Sequence, residues 1–517
     1  MFRKLLIANR GEIALRVLRT CKEMEISTVT VYSRVDRDSL HRLYADESYE
    51  IGGEDPLESY LNAERILRVA SRSGAEAIHP GYGFLAENAG FVKRCEEEGL
   101  VFIGPDSRAM ALAGDKLRSK AVLKEAGIEV SPGSNRPLED VEDAIGVAES
   151  VGYPIILKIS GGGGGIGMEI VEVPEKMEGA LARARSLALS AFGVSDIFLE
   201  KYHLGARHIE FQILSDGRKT IHLGERECSI QRRYQKLIEE APSPVVSEDM
   251  RDEVGRLSIK AAKALGYVNA GTIEYVYSEG RFYFNEVNAR LQVEHPVTEM
   301  VTGLDIVQEQ ITIAAETRLS LEQEDLELRG WALECRINAE DPLRGFLPSP
   351  GRVKEASFPG GPGVRVDTAL RDGQLVSAAY DPLVAKIVTY GRDRRQTIRR
   401  MRRALNEVVI RGVQVNVPLH QVIMRDQAFG QGDISTSFLS DRKIGRALSK
   451  MQRGREQRQR ELVAALAAAV AASNGALGWR TRSFTTERKM PGAWSLAGRE
   501  ALQKLRLTYG HDVQCSP

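Results

Sequence analysis

Glu274, Glu286 and Asn288 are spaced so that one patch of β-structure could grip a divalent cation. They fall in two β-rich runs, residues 271–277 and 281–288, parted by Ser278-Glu279-Gly280, which reads as a hairpin turn. A three-residue loop would set Glu274 opposite Glu286, with Cβ atoms roughly 5 Å apart, where like charges destabilise a sheet. Asn288 lies two residues beyond Glu286 and shares its face. Two carboxylates and an amide oxygen suit Mg²⁺, which commonly bridges to nucleotide phosphates and would relieve the repulsion. The competing reading is a solvated acidic pair on an exposed sheet. Next come Arg290, Gln292 and Glu294, which point the same way if the segment is extended. Arg is a fork for a small planar oxyanion, Gln can hydrogen-bond it, and Glu can take its proton. The trio suits bicarbonate, and equally suits the polar face of an edge strand.

A second chemical feature is Gly161-Gly162-Gly163-Gly164-Gly165-Ile166-Gly167. The apolar runs flanking it, residues 155–159 and 168–173, both read as strands, so the glycines form the tip of a hairpin. Their backbone N–H groups can converge on an anion, and the loop can fold over phosphates. The strand that follows argues against a dinucleotide fingerprint, and Met168-Glu169 stand where a Walker loop needs Lys and Ser/Thr. A floppy surface hairpin is the alternative.

These groups need a large scaffold. The chain has 517 residues, which suggests roughly three domains. Lys+Arg and Asp+Glu balance at 71 each, so neither nucleic acid nor a membrane surface is an expected partner. Five scattered cysteines without a CxxC pair, no signal-like start and no run long enough to span a bilayer point to the cytoplasm.

Strand-like and helix-like segments alternate over the first hundred residues, which predicts a doubly wound parallel sheet. Two turns, Asn9-Arg10-Gly11 and His79-Pro80-Gly81-Tyr82-Gly83, follow strands where open α/β sheets place ligands. They could also be plain tight turns. A helix from Asp115 to about Ala126 and a Pro/Gly/Ser-rich link lead into a small inserted lid with a helix through residues 180–190. An α+β region continues to about Asp441. A basic, Gln-rich and then Ala-rich tail, helical by propensity, follows.

Five long strings carry a resemblance. They are residues 7–14 (IANRGEIA), 79–88 (HPGYGFLAEN), 225–233 (ERECSIQRR), 292–299 (QVEHPVTE) and 334–342 (ECRINAEDP). In this order they resemble the biotin carboxylases, ATP-grasp ligases that hold ATP between two α+β lobes. The likeness extends to about residue 440. It implies an N-terminal doubly wound domain over 1–114, an ATP-grasp lid with its connecting helix over 115–204 and an ATP-grasp core over 205–330. A biotin carboxylase C-terminal domain over 331–445 and a tail over 446–517 complete the chain.

The resemblance also implies residue roles. Lys116, Lys158 and the loop glycines Gly163, Gly164 and Gly165 would meet the phosphates. Glu200, Lys201 and Leu204 would form the adenine hinge, with His208 and Gln231 on the ribose side. Glu274, Glu286 and Asn288 would hold Mg²⁺ or Mn²⁺. Lys236, Arg290, Gln292 and the backbone of Val293 would bind bicarbonate. Glu294 would be the base, and Arg336 would stabilise the biotin oxyanion. No Ala-Met-Lys-Met biotinylation sequence is present, and Lys489-Met490 lacks its surroundings, so biotin is expected on a separate carrier protein. A homodimer is implied too, as is a carboxyltransferase subunit, with acetyl-CoA, propionyl-CoA or pyruvate as the final acceptor.

Three places depart from the family pattern: Ile166, where several members carry Arg; Tyr234, where bacterial members often have His; and residues 381–386, closer to multidomain carboxylases. Competing readings are another ATP-grasp ligase, such as a carbamoyl-phosphate or purine-pathway enzyme, and a nucleotide-binding subunit without catalysis. The first lacks Arg290-x-Gln292-x-Glu294-His295-Pro296 with Arg336; the intact acidic set argues against the second.

Overall fold

In the computed structural model, residues 1–160, 167–193, 196–316 and 318–478 are described. Residues Met1–Ile444 form one compact unit and Gly445–Pro517 a second.

The first unit begins with a five-stranded parallel sheet in the order Glu47–Gly52, Ser27–Ser33, Lys4–Ile7, Ala77–His79, Val101–Phe102. Its central strand is apolar from Leu5 to Ile7 because both faces are covered there. Leu6 packs into a core with Ile66, Leu67 and Phe91, while Leu5 and Ile7 join Ile13, Ala14 and Val17. The sheet is therefore doubly wound. Glu47–Gly52 lacks a readable strand pattern because it is a sheet edge, polar and half-buried. Strand order reverses between Lys4–Ile7 and Ala77–His79, and the two turns noted above lie at that switch point.

The lid is a three-stranded antiparallel sheet in the order Glu169–Val171, Ile155–Ile159, Ile197–Lys201. Ile155, Leu157 and Leu199 bury against Ala144 and Ala148 of helix Val141–Val151 and Ala184 of helix Met177–Phe192. The expected hairpin is present, with Ile155 opposite Val171 and Leu157 opposite Glu169. Its tip, which holds Gly163, Gly164, Gly165 and Ile166, lies outside the described residues. The connecting helix is Lys116–Glu125, capped by Asp115, whose side chain accepts from the Arg118 amide.

An eight-stranded antiparallel sheet forms the largest layer, in the order Arg281–Asn288, Asn269–Ser278, Arg207–Ser215, Thr220–Arg232, Gln235–Ala241, Trp331–Asn338, Leu383–Gly391, Val364–Thr368. It runs without interruption past residue 330. Alternation along Arg207–Ser215 sends Ile209, Phe211 and Ile213 into the core. His208, Glu210 and Gln212 take the other face, which is the floor of the site.

The acidic hairpin differs in detail from the expected three-residue loop. Ser278 pairs with Arg281, so the loop is two residues, Glu279 and Gly280, at φ 51° and 80°. A bulge then intervenes, Tyr275 pairing with Phe284 and Glu274 with Glu286, which leaves Asn285 as the extra residue. The two glutamates do face each other, through a bulge and not through loop length.

The second unit shows the helix expected from its alanines, Ile444–Gly478. Residues 479–517, including Lys489 and Met490, lie outside the described residues. No helix among the described residues is long and apolar enough to cross a membrane.

Candidate active site

A cavity of about 760 Å³ opens between the lid, the parallel sheet's switch point and the floor of the large sheet. Lys116, Lys158, Glu200, Lys201, His208 and Gln231 line it, as do Lys236, Glu274, Glu286, Asn288, Arg290, Gln292, Val293 and Arg336. Glu294 is fully buried beneath its wall. Leu204 is 72% exposed and does not line the cavity.

On the lid side, Lys158 Nζ donates to Glu200 Oε2 (2.7 Å) and to Oδ1 of the bulged Asn285 (2.9 Å). Lys120 meets the other Glu200 oxygen. Lys116 Nζ lies 2.8 Å from Glu286 Oε2. Burial, with Lys116 nearby, pushes the Lys158 ammonium down to about 7, and Lys120 falls well below the usual lysine range for the same reasons. Lys201 Nζ donates to the carbonyls of Gly152 and Tyr153 (2.9 and 3.0 Å), fixing the lid strand.

On the floor, Lys236 Nζ donates to Glu210 Oε2 (2.5 Å), Glu274 Oε1 (2.8 Å) and Glu294 Oε1 (2.7 Å). Those three carboxylates overcome burial and hold the Lys236 ammonium well above its ordinary value. Arg336 donates from Nε to Glu239 Oε1 (2.6 Å) and from Nη2 to Glu294 Oε2 (2.9 Å). Burial alone would raise Glu294; Lys236, then Arg336 and Arg226, outweigh it, so its carboxyl lies well below the usual range. Glu274 lies well below its usual value against the same burial, through Lys236 and His208, whose Nε2 is 2.8 Å from Glu274 Oε2. Gln231 Nε2 lies 2.9 Å from His208 Nδ1.

The segment carrying Arg290, Gln292 and Glu294 is not the expected extended strand. It is a loop, and Glu294, at φ −83° and ψ 8°, is the N-cap of helix His295–Thr302. The three side chains still converge. Arg290 donates to Glu87 Oε2 (2.9 Å), Gln292 Oε1 (2.9 Å) and Asn288 Oδ1 (3.1 Å), while Gln292 Nε2 donates to Glu274 Oε1 (3.2 Å). The loop follows the sheet's turn into the cavity, and hydrogen bonds replace strand periodicity in aiming them.

The donor chemistry fits Mg²⁺ or Mn²⁺. Glu274 and Glu286 both titrate below the usual carboxylate range, Glu286 through Lys116 against burial, so both are ionised hard-oxygen donors on paired strands. Asn288 presents Nδ2 to Glu274 Oε1 (2.8 Å) and its oxygen to Arg290, so it would have to turn its amide to join them.

Sequence reasoning missed the residues beneath. Arg226 is fully buried and donates to Glu210 Oε1 (2.5 Å), Gln212 Oε1 (2.8 Å), Thr298 Oγ1 (2.9 Å) and Thr272 Oγ1 (3.1 Å). Glu239, Lys120 and Glu87 were missed too. A usable signal for the floor was His208-x-Glu210-x-Gln212, polar residues alternating with Ile209, Phe211 and Ile213, whereas Arg226 stands between Glu225 and Glu227, so its strand is polar on both faces there and marks nothing. Tyr234 lines the cavity from a two-residue turn with Arg233, both at positive φ (66° and 49°), a strained conformation for side-chain-bearing residues.

Comparison with known proteins decides the family. Residues 1–110 match the biotin carboxylase N-terminal domain, 115–322 the ATP-binding domain of the carbamoyl-phosphate synthase large chain, and 334–441 the biotin carboxylase C-terminal domain. The chain belongs to the biotin carboxylase family. A pyruvate carboxylase subunit of Methanothermobacter thermautotrophicus is 49% identical over 446 residues, 86% of this chain and 91% of that one. Biotin carboxylase of Pseudomonas aeruginosa is 50% identical over 447 residues, 86% of this chain and 99% of that one. Among solved structures, the biotin carboxylase domain dimer of Hydrogenobacter thermophilus 2-oxoglutarate carboxylase, in complex with MgADP, ADP and bicarbonate, superposes with a TM-score of 0.84. It is 49% identical, over 86% of this chain and 98% of that one. The chain is thus an ATP-dependent ligase, and its relatives favour biotin carboxylation over the chemistry of other ATP-grasp ligases.

Proposed function

We propose that this chain carboxylates biotin held on a separate biotin carboxyl carrier protein, using ATP and bicarbonate, as one component of a larger carboxylase. The observation that carries this is the meeting of Lys236 and Arg336 on buried Glu294, beside the facing Glu274 and Glu286.

In this reading Lys116, Lys158 and the glycines Gly163, Gly164 and Gly165 take the ATP phosphates. Glu200, Lys201 and Leu204 border adenine, Leu204 through its backbone because its side chain faces solvent. His208 and Gln231 line the ribose side. Mg²⁺ or Mn²⁺ held by Glu274, Glu286 and Asn288 would neutralise charge on the terminal phosphates. Lys236, Arg290, Gln292 and the Val293 backbone cradle bicarbonate.

Glu294 takes the bicarbonate proton as the anion's oxygen attacks the γ-phosphorus and ADP leaves. With its carboxyl held so low Glu294 is a poor base, so the substrate anion must first draw Lys236 toward itself, which restores proton affinity to Glu294. The resulting carboxyphosphate splits to CO₂ and phosphate, and the phosphate takes the N1′ proton of biotin. Arg336 stabilises the oxygen anion that forms on biotin. Lid closure would exclude water from carboxyphosphate.

The names of relatives include carboxylases of pyruvate and of 2-oxoglutarate, which supports leaving acceptor choice to a carboxyltransferase partner. The dimer of the Hydrogenobacter domain supports a homodimer. Cys21, Cys95, Cys228 and Cys335, all buried and unpaired, support a cytoplasmic setting. ADP release that rises only when bicarbonate and free biotin are both supplied is the expected result. Release indifferent to both would reject the function.

A further inference from the structure

The turns Asn9-Arg10-Gly11 and His79-Pro80-Gly81-Tyr82-Gly83 have no part in the roles above. Asn9 ties them together, its Nδ2 donating to the carbonyls of Pro80 (2.6 Å) and Tyr82 (2.8 Å). Tyr82 lines the cavity and donates its hydroxyl to Glu12, which opens the helix after the first turn. Glu12 Oε1 lies 3.2 Å from Nζ of Lys386, on strand Leu383–Gly391 of the large sheet. Lys386 is fully buried, and its Nζ donates to the backbone carbonyl of Val293 at 2.9 Å. Asp367, on the adjoining strand, stands 3.8 Å from the same ammonium.

A buried ammonium is costly unless each of its three N–H groups finds an acceptor. Glu12 at 3.2 Å, and Asp367 at 3.8 Å though shared with Arg365, offset the charge of Lys386, while its 2.9 Å hydrogen bond goes to a carbonyl in a stretch that is neither helix nor strand. That carbonyl immediately precedes Glu294. The helix that follows the first strand of the parallel sheet, the large sheet and the loop presenting Glu294 therefore meet at one nitrogen atom.

We propose that Lys386 is a positioning residue for bicarbonate activation: it anchors the Val293 carbonyl, and so the peptide that presents Glu294, while Glu12 and Tyr82 tie that anchor to the cavity wall. This rests on the assignment of Val293 and Glu294 to the bicarbonate step. The lid-side groups Lys116, Lys158 and Glu200 have no hydrogen bond or ion pair with Lys386 among the described residues, so losing the anchor falls on bicarbonate and spares ATP.

The test varies bicarbonate and ATP separately, at saturating free biotin, while ADP release is measured on the full chain, with Tm recorded. Lys386→Met is expected to raise the bicarbonate KM at least about tenfold and lower kcat, with the ATP KM within about twofold of wild type. Glu12→Gln keeps an acceptor for Tyr82 but removes the balancing charge, and should shift the bicarbonate KM in the same direction by about threefold. Equal changes in both KM values, or a fall in Tm with both unchanged, overturn the proposal by reducing Lys386 to packing. If Lys386→Met does not fold, Glu12→Gln decides, and an unchanged bicarbonate KM there overturns it. Wild-type ADP release indifferent to bicarbonate would instead defeat the site assignment itself.

Discussion

On the lid side of the cavity three lysines, Lys116, Lys120 and Lys158, crowd two carboxylates, Glu200 and Glu286. On the floor the ratio reverses: Lys236, Arg226 and Arg336 face Glu210, Glu239, Glu274 and Glu294. Burial acts on both walls with opposite results. It lowers Lys158 to about 7 on the first, where negative charge is short. On the second it raises Glu210, and raises Glu239 to about 7, while Lys236 is gripped well above its ordinary value. The lid wall is thus short of anions, a deficit that the phosphates of ATP would make up in the proposed function. The floor has carboxylates to spare and can absorb a proton.

Removing the cation that the floor shares most widely should break this contrast hardest. Lys236→Met leaves Glu210, Glu274 and Glu294 facing one another, and bicarbonate-dependent ATP turnover should fall by about 10²- to 10³-fold. A loss below tenfold in steady-state assays would mean that the floor does not depend on its lysine. Stability should separate the walls next. Arg226→Met takes from buried Glu210 one of its two cations and leaves Gln212, Thr272 and Thr298 without their donor, and should cost about 3–5 kcal/mol in urea unfolding. Lys120→Met, at a lysine already pushed toward neutrality, should cost less than about 1.5 kcal/mol. Similar costs would erase the distinction.

The smallest effect sharpens the comparison through protons. Lys158 titrates near 7 in the free protein, so at pH 8 it is mostly neutral, and bound phosphates would restore its charge. Nucleotide binding should then take up part of a proton at pH 8 and much less at pH 6, where Lys158 is already charged. Calorimetry in buffers of different ionisation enthalpy reads this directly. Uptake that does not grow with pH would contradict it.

What the sequence disclosed follows the same division. Strand–helix alternation exposed the parallel sheet because each element buries a continuous apolar face, yet Glu47–Gly52 escaped because an edge strand has no such face to show. Glu274 and Glu286 were legible as a pair, but the bulge at Asn285 that sets their register was not, since nothing local marks it. Arg290, Gln292 and Glu294 were grouped by strand periodicity although hydrogen bonds in a loop align them. Arg226, Glu239 and Lys386 stayed hidden because their partners lie on distant strands, and long-range ion pairs leave no spacing in a sequence.

The central claim is that Glu294, ionised between Lys236 and Arg336, accepts the proton of bicarbonate. Its most direct test is ADP release by Glu294→Gln at saturating free biotin, with and without bicarbonate, alongside the ATP Kd of the same variant. The bicarbonate-stimulated rate should drop at least about 10²-fold while ATP binds within about twofold of wild type. Stimulation at the wild-type rate would place the base on another residue and contradict the account.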